Sequence, residues 1–207
     1  MNNLYFIRHA QSEANIKRIQ GSQLPFPLTA EGKADADLIA RELKALLPIH
    51  HIVTSPLVRA KQTAESFAAA FDLSILEEEN LAEQYLGDYS GMSYDDLAVD
   101  KEYEKDPLNR WDWVPRGGGE SYKMIAERVL EFFKDLEENP LRGNTLIVTH
   151  AVTFRLIQAC LENTLPVYPK PFPNNGEIRR VKFMGLGKKH RMESIFLGNS
   201  REFVHNP

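Results

Sequence analysis

Apolar residues in this chain recur in two rhythms that alternate along its length. Residues 3–8 (NLYFIR) form a short apolar run and read as a buried strand. The stretch up to Leu28 is rich in Gln, Gly and Pro and reads as a loop. From Thr29 the apolar residues switch to helical spacing, with Leu38, Ile39, Leu43 and Leu46 on one side and Thr29 as N-cap. HIVTS at 51–55 is a second, β-branched strand. Ser55-Pro56 reads as the start of the next helix, with serine at the N-cap and proline at the first helical position, running to about Phe71.

Residues 84–120 break this rhythm. They are aromatic, charged and punctuated by Gly and Pro, with a short helix expected after Ser93. Ser121 then caps an amphipathic helix that places Met124, Ile125, Val129, Phe132, Phe133 and Leu136 on one face. NTLIVT at 144–149 is the third clear strand, followed at once by His150 and a helix through Leu161. After a Pro-rich stretch from Leu165 to Pro173, EIRRVKF and RMESIFLG alternate like strands around a basic turn, MGLGKKH, and suit antiparallel pairing at one edge. Strands alternating with helices predict an α/β fold, a three-layer α/β/α sandwich with a mostly parallel central sheet. Residues 1–207 are expected to form a single domain, with 84–120 as a lid-like insertion over the active site.

Composition narrows the function. The chain has 207 residues, enough for one substantial core, and 43% hydrophobic with 26% charged residues is ordinary for a soluble globular protein. A net charge of −4 argues against a general nucleic-acid binder and leaves room for a local cationic pocket. The lone cysteine, Cys160, rules out an intrachain disulfide framework. It sits on an apolar helix face and reads as core. The N-terminus lacks the pattern of a signal peptide, and no apolar run approaches the roughly 18 residues that span a membrane. A cytoplasmic location is the expectation.

Three strands end in chemistry. The first ends at Arg8-His9, the second at TSP with Arg59 in the following helix, and the NTLIVT strand at His150. Ligands of open α/β sheets bind outside the carboxyl ends of the strands, so these four side chains can converge there as a pocket for a phosphate. Arginine suits that task because its guanidinium makes planar, paired hydrogen bonds to phosphate. A nucleophilic histidine must be neutral, and cationic neighbours help keep it so. By themselves Arg59 also fits a solvated helix arginine, and Glu83 a surface carboxylate close to Glu77, Glu78 and Glu79. His50-His51 lies at the start of the second strand, opposite the site, and reads as structural. DDLAVDKEYEKD reads as a solvated face, and neither a Walker A loop nor HExxH occurs. Trp111 and Trp113 either pack the insertion or line the pocket, and Arg110 and Arg116 either meet a second anionic group or sit exposed.

RHAQSEAN, SPLVRAKQTA, LAEQYLG and VTHAVTFR, in that order, resemble the histidine phosphatase superfamily, which includes the cofactor-dependent phosphoglycerate mutases. QG at 20–21, PLTAEG at 27–32, GGES at 118–121 and NGEI at 175–178 fit the same pattern. The resemblance implies His9 as phosphoryl acceptor, with Arg8, Arg59 and His150 binding phosphoryl oxygens and Asn15 assisting. Glu83 would be the proton donor to the leaving group, and Gln20 and Gly21 would belong to the substrate pocket. It further implies a metal-independent phosphomonoester hydrolase for a small phosphorylated substrate, with no cofactor, no metal, no nucleic acid and no membrane partner. A mutase is the alternative, as is a catalytically silent phospholigand-binding module. Mutases of the family typically carry Tyr three residues after the acidic residue, where this chain has Leu86, and the family's usual Gly after the histidine is Ala10.

Overall fold

The computed structural model describes residues 2–198. Its centre is a six-stranded sheet. The strands are β1 (Asn2–Arg8), β2 (His51–Thr54), β3 (Ile75–Glu77), β4 (Thr145–Thr149), β5 (Glu177–Phe183) and β6 (Glu193–Leu197), in the spatial order β3-β2-β4-β1-β5-β6. The first four in that order are parallel, whereas β5 runs antiparallel to β1 and β6 antiparallel to β5. This is the expected sandwich, with the last two strands at one edge. The helices are α1 (Glu13–Ile16), α2 (Ala30–Leu46), α3 (Val58–Phe71), α4 (Tyr94–Val99), α5 (Tyr122–Glu138) and α6 (Ala151–Leu161).

Alternation along β1 builds two cores. Leu4 and Phe6 join the helical apolar faces of α5 and α6, including Ile125, Val129, Phe133, Phe154 and Ile157. Tyr5 and Ile7 point the other way, into Ile39 and Leu43 of α2 and Ala60, Ala64 and Phe67 of α3. A sheet covered on both faces explains why β4 is buried at every position. Thr29, Ser93 and Ser121 cap α2, α4 and α5 by accepting from Gly32 N, Asp96 N and Met124 N.

Several expectations need correction. The helix after β2 starts at Val58, not at Pro56, with Leu57 as N-cap. The Ser55 hydroxyl accepts from Leu57 N at 3.3 Å, ahead of the helix, and also bonds to His150. Met124 is 45% exposed, because its place one turn into α5 falls off the buried stripe. The loop before Leu28 contains the short α1, and the edge strand β3 follows α3 where no strand was expected. Within 84–120, Leu86, Tyr89, Leu97 and Tyr103 form a small core with Met92 and Trp113. That segment is tied to the loop after β1 by Gln20 N to Met92 O (2.9 Å), Gly91 N to Gln20 O (2.8 Å) and Tyr94 N to Arg18 O (2.9 Å). Among the described residues no helix is long and apolar enough to cross a membrane.

Gly32 lets α2 lie against the turn that follows His9. A Cβ there would collide with the Gln11 carbonyl oxygen, which already accepts from Thr29 N at 3.0 Å. Gly32→Ala should therefore lower stability by about 1–3 kcal/mol. The helix-propensity gain of about 1 kcal/mol opposes this, so a stabilised variant in urea unfolding would contradict the close approach.

Candidate active site

Register brings the functional side chains together. Arg8 pairs with Thr149 across β1 and β4, so the next residues on the two strands, His9 and His150, emerge side by side. His9 N donates to Thr149 O at 2.9 Å, and the imidazole centroids are 5.2 Å apart. Thr54 pairs with Val148, which brings Ser55 to the same edge, and Ser55 N donates to Val148 O at 3.0 Å.

His9 is 3% exposed. Its Nδ1 lies 2.7 Å from the Ala10 carbonyl oxygen. A carbonyl can only accept, so Nδ1 carries the proton and Nε2 keeps the lone pair. Arg59 Nε donates to that Nε2 at 3.2 Å. The other arms of Arg59 reach Ser22 O (2.6 Å) and Leu24 O (3.2 Å). Thr63, one turn along α3, accepts from Ala10 N at 3.0 Å and donates to Arg59 O at 2.8 Å. The backbone after His9 and the arginine are thus fixed by one hydroxyl. Ala10 is not among the residues with positive φ, so the alanine holds an ordinary backbone conformation.

Arg8 donates to Pro173 O at 2.7 Å, and its buried Nε has no acceptor. His150 Nε2 lies 2.7 Å from Ser55 Oγ, while its buried Nδ1 has no partner. Orphaned polar atoms this close to His9 are places where an incoming oxyanion restores hydrogen bonds. Asn15 Oδ1 accepts from Ser12 N (2.9 Å), Ser12 Oγ (2.9 Å) and Asn175 Nδ2 (3.2 Å), which leaves its NH2 group to reach a ligand. Asn175 Nδ2 also donates to His9 O at 2.9 Å, joining the loop before β5 to the tip of β1.

Glu83 sits at the N-terminus of α6, accepting from Val152 N (3.3 Å) and Thr153 N (3.4 Å). Its segment is anchored by Thr149 Oγ1 to Leu81 O (2.8 Å) and Thr153 Oγ1 to Ala82 O (2.6 Å). The neighbouring acids are engaged elsewhere: Glu77 pairs with Lys61 at 2.7 Å, and Glu78 accepts from Asn80 N. Glu83 lines a cavity of about 540 Å³ together with Arg8, His9, Asn15, Gln20, Gly21 and Arg59. His150 is fully buried behind that wall.

The sequence did not single out Tyr94, Tyr103 or Lys105, which line the same cavity with Arg110. Tyr103 and Lys105 lie within DDLAVDKEYEKD, read from sequence as a solvated face, and Tyr94 directly precedes it. Asn175 lay within a quoted motif, but its reach to β1 is a long-range contact. The tryptophans do not line the cavity: Trp113 stacks on Tyr89 and Trp111 on Tyr168. Arg116 meets no pocket, since Asp88, Asp100 and Glu102 surround it on the surface. His50 Nδ1 accepts from Asn144 N and His51 faces Arg142 O, a structural pair at the far end of the sheet. Cys160 is core, and burial pushes its thiol up to about 11. Among the described residues no group of three His, Cys, Asp or Glu comes together as a metal site.

Burial lowers the pKa of both His9 and His150 well below the usual 6.5, and Arg59 lowers each further. Burial, more than the neighbouring charges named from sequence, keeps His9 neutral. Arg59 is lowered to about 10, mainly by burial, and remains cationic at neutral pH.

Fold and site together define an α/β protein with a neutral, buried histidine bonded by Arg59 at the carboxyl edge of its sheet. The family model of the histidine phosphatase superfamily (branch 1) matches residues 4–191. A probable phosphoglycerate mutase of Photorhabdus laumondii is 33% identical over 192 residues, 90% of this chain and 85% of the relative. Phosphoserine phosphatase 1 of Hydrogenobacter thermophilus is 32% identical over 163 residues, 76% of this chain and 75% of the relative. A solved mycobacterial glucosyl-3-phosphoglycerate phosphatase superposes with a TM-score of 0.82 at 22% identity, covering 94% of this chain and 98% of its own. This chain belongs to the histidine phosphatase superfamily.

The buried imidazoles predict a pH signature. In the unfolded chain each titrates near 6.5, whereas the folded protein refuses the proton until a lower pH. Stability is therefore full above about pH 6.5 and is lost as pH falls below it, by at most about 1.4 kcal/mol per pH unit for each histidine. Urea unfolding between pH 7.5 and 5.5 should show this slope, and His150→Gln should reduce it. An unchanged slope in that variant would contradict the neutral assignment.

Proposed function

We propose that the protein is a metal-independent phosphomonoester hydrolase that works through a phosphohistidine on His9. The observation that carries this reading is the pair of bonds that set the imidazole, Nδ1 to the Ala10 carbonyl and Arg59 Nε to Nε2. In the first step the Nε2 lone pair attacks phosphorus and the bond to the leaving oxygen breaks. The protonated carboxyl of Glu83 gives that oxygen its proton. In the second step water attacks phosphorus, its proton passes to the Glu83 carboxylate, and the N–P electron pair returns to Nε2.

Arg8, Arg59, His150 and the Asn15 amide would hold the phosphoryl oxygens, with Gln20 and Gly21 in the pocket beyond. Phosphoryl transfer depends on positioning and on charge to stabilise the equatorial oxygens, and two guanidiniums supply that charge. Activity should therefore persist with excess EDTA. Hydrolysis is favoured over a mutase by Leu86, which is buried in the cluster of the 84–120 segment and so offers no hydroxyl to a returning substrate. The relatives' names include both activities. A small phosphorylated substrate in a cytoplasmic setting fits this reading.

Phosphate release from p-nitrophenyl phosphate in EDTA, without conversion of 3-phosphoglycerate to 2-phosphoglycerate, is the expected result. Metal-restored activity, or isomerisation without release, would overturn it. Arg59→Ala should slow turnover by about 10²–10³-fold, as lost oxyanion donors do.

Glu83→Gln isolates the acid. General-acid help is typically about 10²–10⁴-fold and grows with the basicity of the leaving group. In single-turnover kinetics the variant should lose far more on an alkyl phosphate than on p-nitrophenyl phosphate. Equal losses would remove Glu83 from the role.

A further inference from the structure

Ser22 stands between the two halves of the site. It is buried, in the loop after β1, and it lines the cavity. Its carbonyl accepts from Arg59 Nη2 at 2.6 Å. Its hydroxyl donates to Gln84 O at 3.0 Å and accepts from Leu86 N at 3.0 Å. One side chain thus spends its donor and an acceptor on the segment that follows Glu83. The next residue adds to this grip, since Gln23 Nε2 donates to Glu83 O at 3.0 Å.

Glu83 therefore hangs between two frames. Before it, Thr149 and Thr153 tie Leu81 O and Ala82 O to β4 and α6. After it, Ser22 and Gln23 tie the chain to the loop that holds Arg59. Only the second frame carries the arginine. The Ser22 backbone is also unusual, with φ at 44°. Of the non-glycine residues with positive φ among the described residues, Ser22 alone is buried and alone lines the cavity. Glycine would take that conformation at no steric cost. What serine adds there is the hydroxyl, and strained backbone of this kind gathers at sites that act on ligands.

We propose that Ser22 is a positioning residue for the acid step: its hydroxyl locks the Glu83 segment to the loop that holds Arg59, so that the proton donor keeps a fixed place relative to the phosphoryl group. Ser22 acts through Glu83 and touches no reacting atom. This rests on the roles given to Arg59 and Glu83 in the hydrolase reading, and adds to them the residue that sets their separation.

Two variants separate positioning from folding. Ser22→Ala and Ser22→Gly both delete the hydroxyl and keep the carbonyl that Arg59 meets. Glycine suits the positive φ and alanine does not, so the alanine variant should unfold at lower urea. Despite that difference, both should show the same kinetic pattern. In single-turnover reactions each should lose about 10–100-fold on an alkyl phosphate, as a misplaced acid does. Each should lose far less on p-nitrophenyl phosphate, whose leaving group needs little help from an acid. With Glu83→Gln already present, either substitution should cost the same small factor on both substrates, because the two changes remove one function. Inorganic phosphate, read by calorimetry, should bind nearly as it does to the unmodified protein. Equal losses on the two substrates in both Ser22 variants would overturn the proposal, as would a full further loss on the alkyl phosphate in the Glu83→Gln background. A loss of phosphate binding as large as the loss of rate would overturn it too, since the pocket itself would then have collapsed. The two readings fail differently. Equal losses in Glu83→Gln remove the acid and the role of Ser22 with it, whereas a leaving-group effect in Glu83→Gln that is missing from the Ser22 variants removes Ser22 alone.

Discussion

The hydrogen bond from His9 Nδ1 to the Ala10 carbonyl, made in a buried cationic setting, is the constraint on which the site depends. It assigns the proton to one ring nitrogen and the lone pair to the other. Burial and Arg59 then keep a second proton off the ring. Without that bond the imidazole could turn or change tautomer, and Arg59 Nε would face an N–H instead of a lone pair. Thr63 holds the Ala10 amide and the Arg59 carbonyl together, so the geometry is stiff at the backbone as well as at the side chain.

The sheet makes this constraint possible. Parallel pairing of β1 with β4 sets His9 beside His150, and pairing of β4 with β2 brings Ser55 to His150. Three strand ends that are distant in sequence thus contribute to one point, at the carboxyl edge where open α/β sheets bind ligands. Glu83 reaches the same point by another route. Two threonine hydroxyls, on β4 and α6, hold the carbonyls of its segment, and the first amides of α6 meet its carboxylate. The 84–120 segment then sets the walls, through a small aromatic core of its own.

What could be read from sequence follows from the range of the forces involved. Strands β1, β2 and β4 and the caps Thr29, Ser93 and Ser121 are local patterns, and the structure has them. The side chains at the strand ends were legible because four motifs keep their order and residue types. The helix start was placed two residues early at Pro56; the Ser55 hydroxyl does accept locally from Leu57 N, and its second bond, to a residue 95 positions away, has no local signal. Strand β3 has three residues and one neighbour in the sheet, too little pattern to see. Arg110 and Arg116 look alike in sequence, yet one is buried at the cavity and the other lies among surface acids. Only tertiary packing separates them.

In the proposed reaction Nε2 of His9 is the atom that takes the phosphoryl group. Rapid quenching of the reaction in base, which preserves phosphohistidine, followed by peptide mapping and phosphorus NMR, tests it directly. Phosphate is expected on His9 bonded to Nε2, because Nδ1 is occupied by the Ala10 carbonyl. Phosphate on Nδ1, or on any residue other than His9, would contradict it.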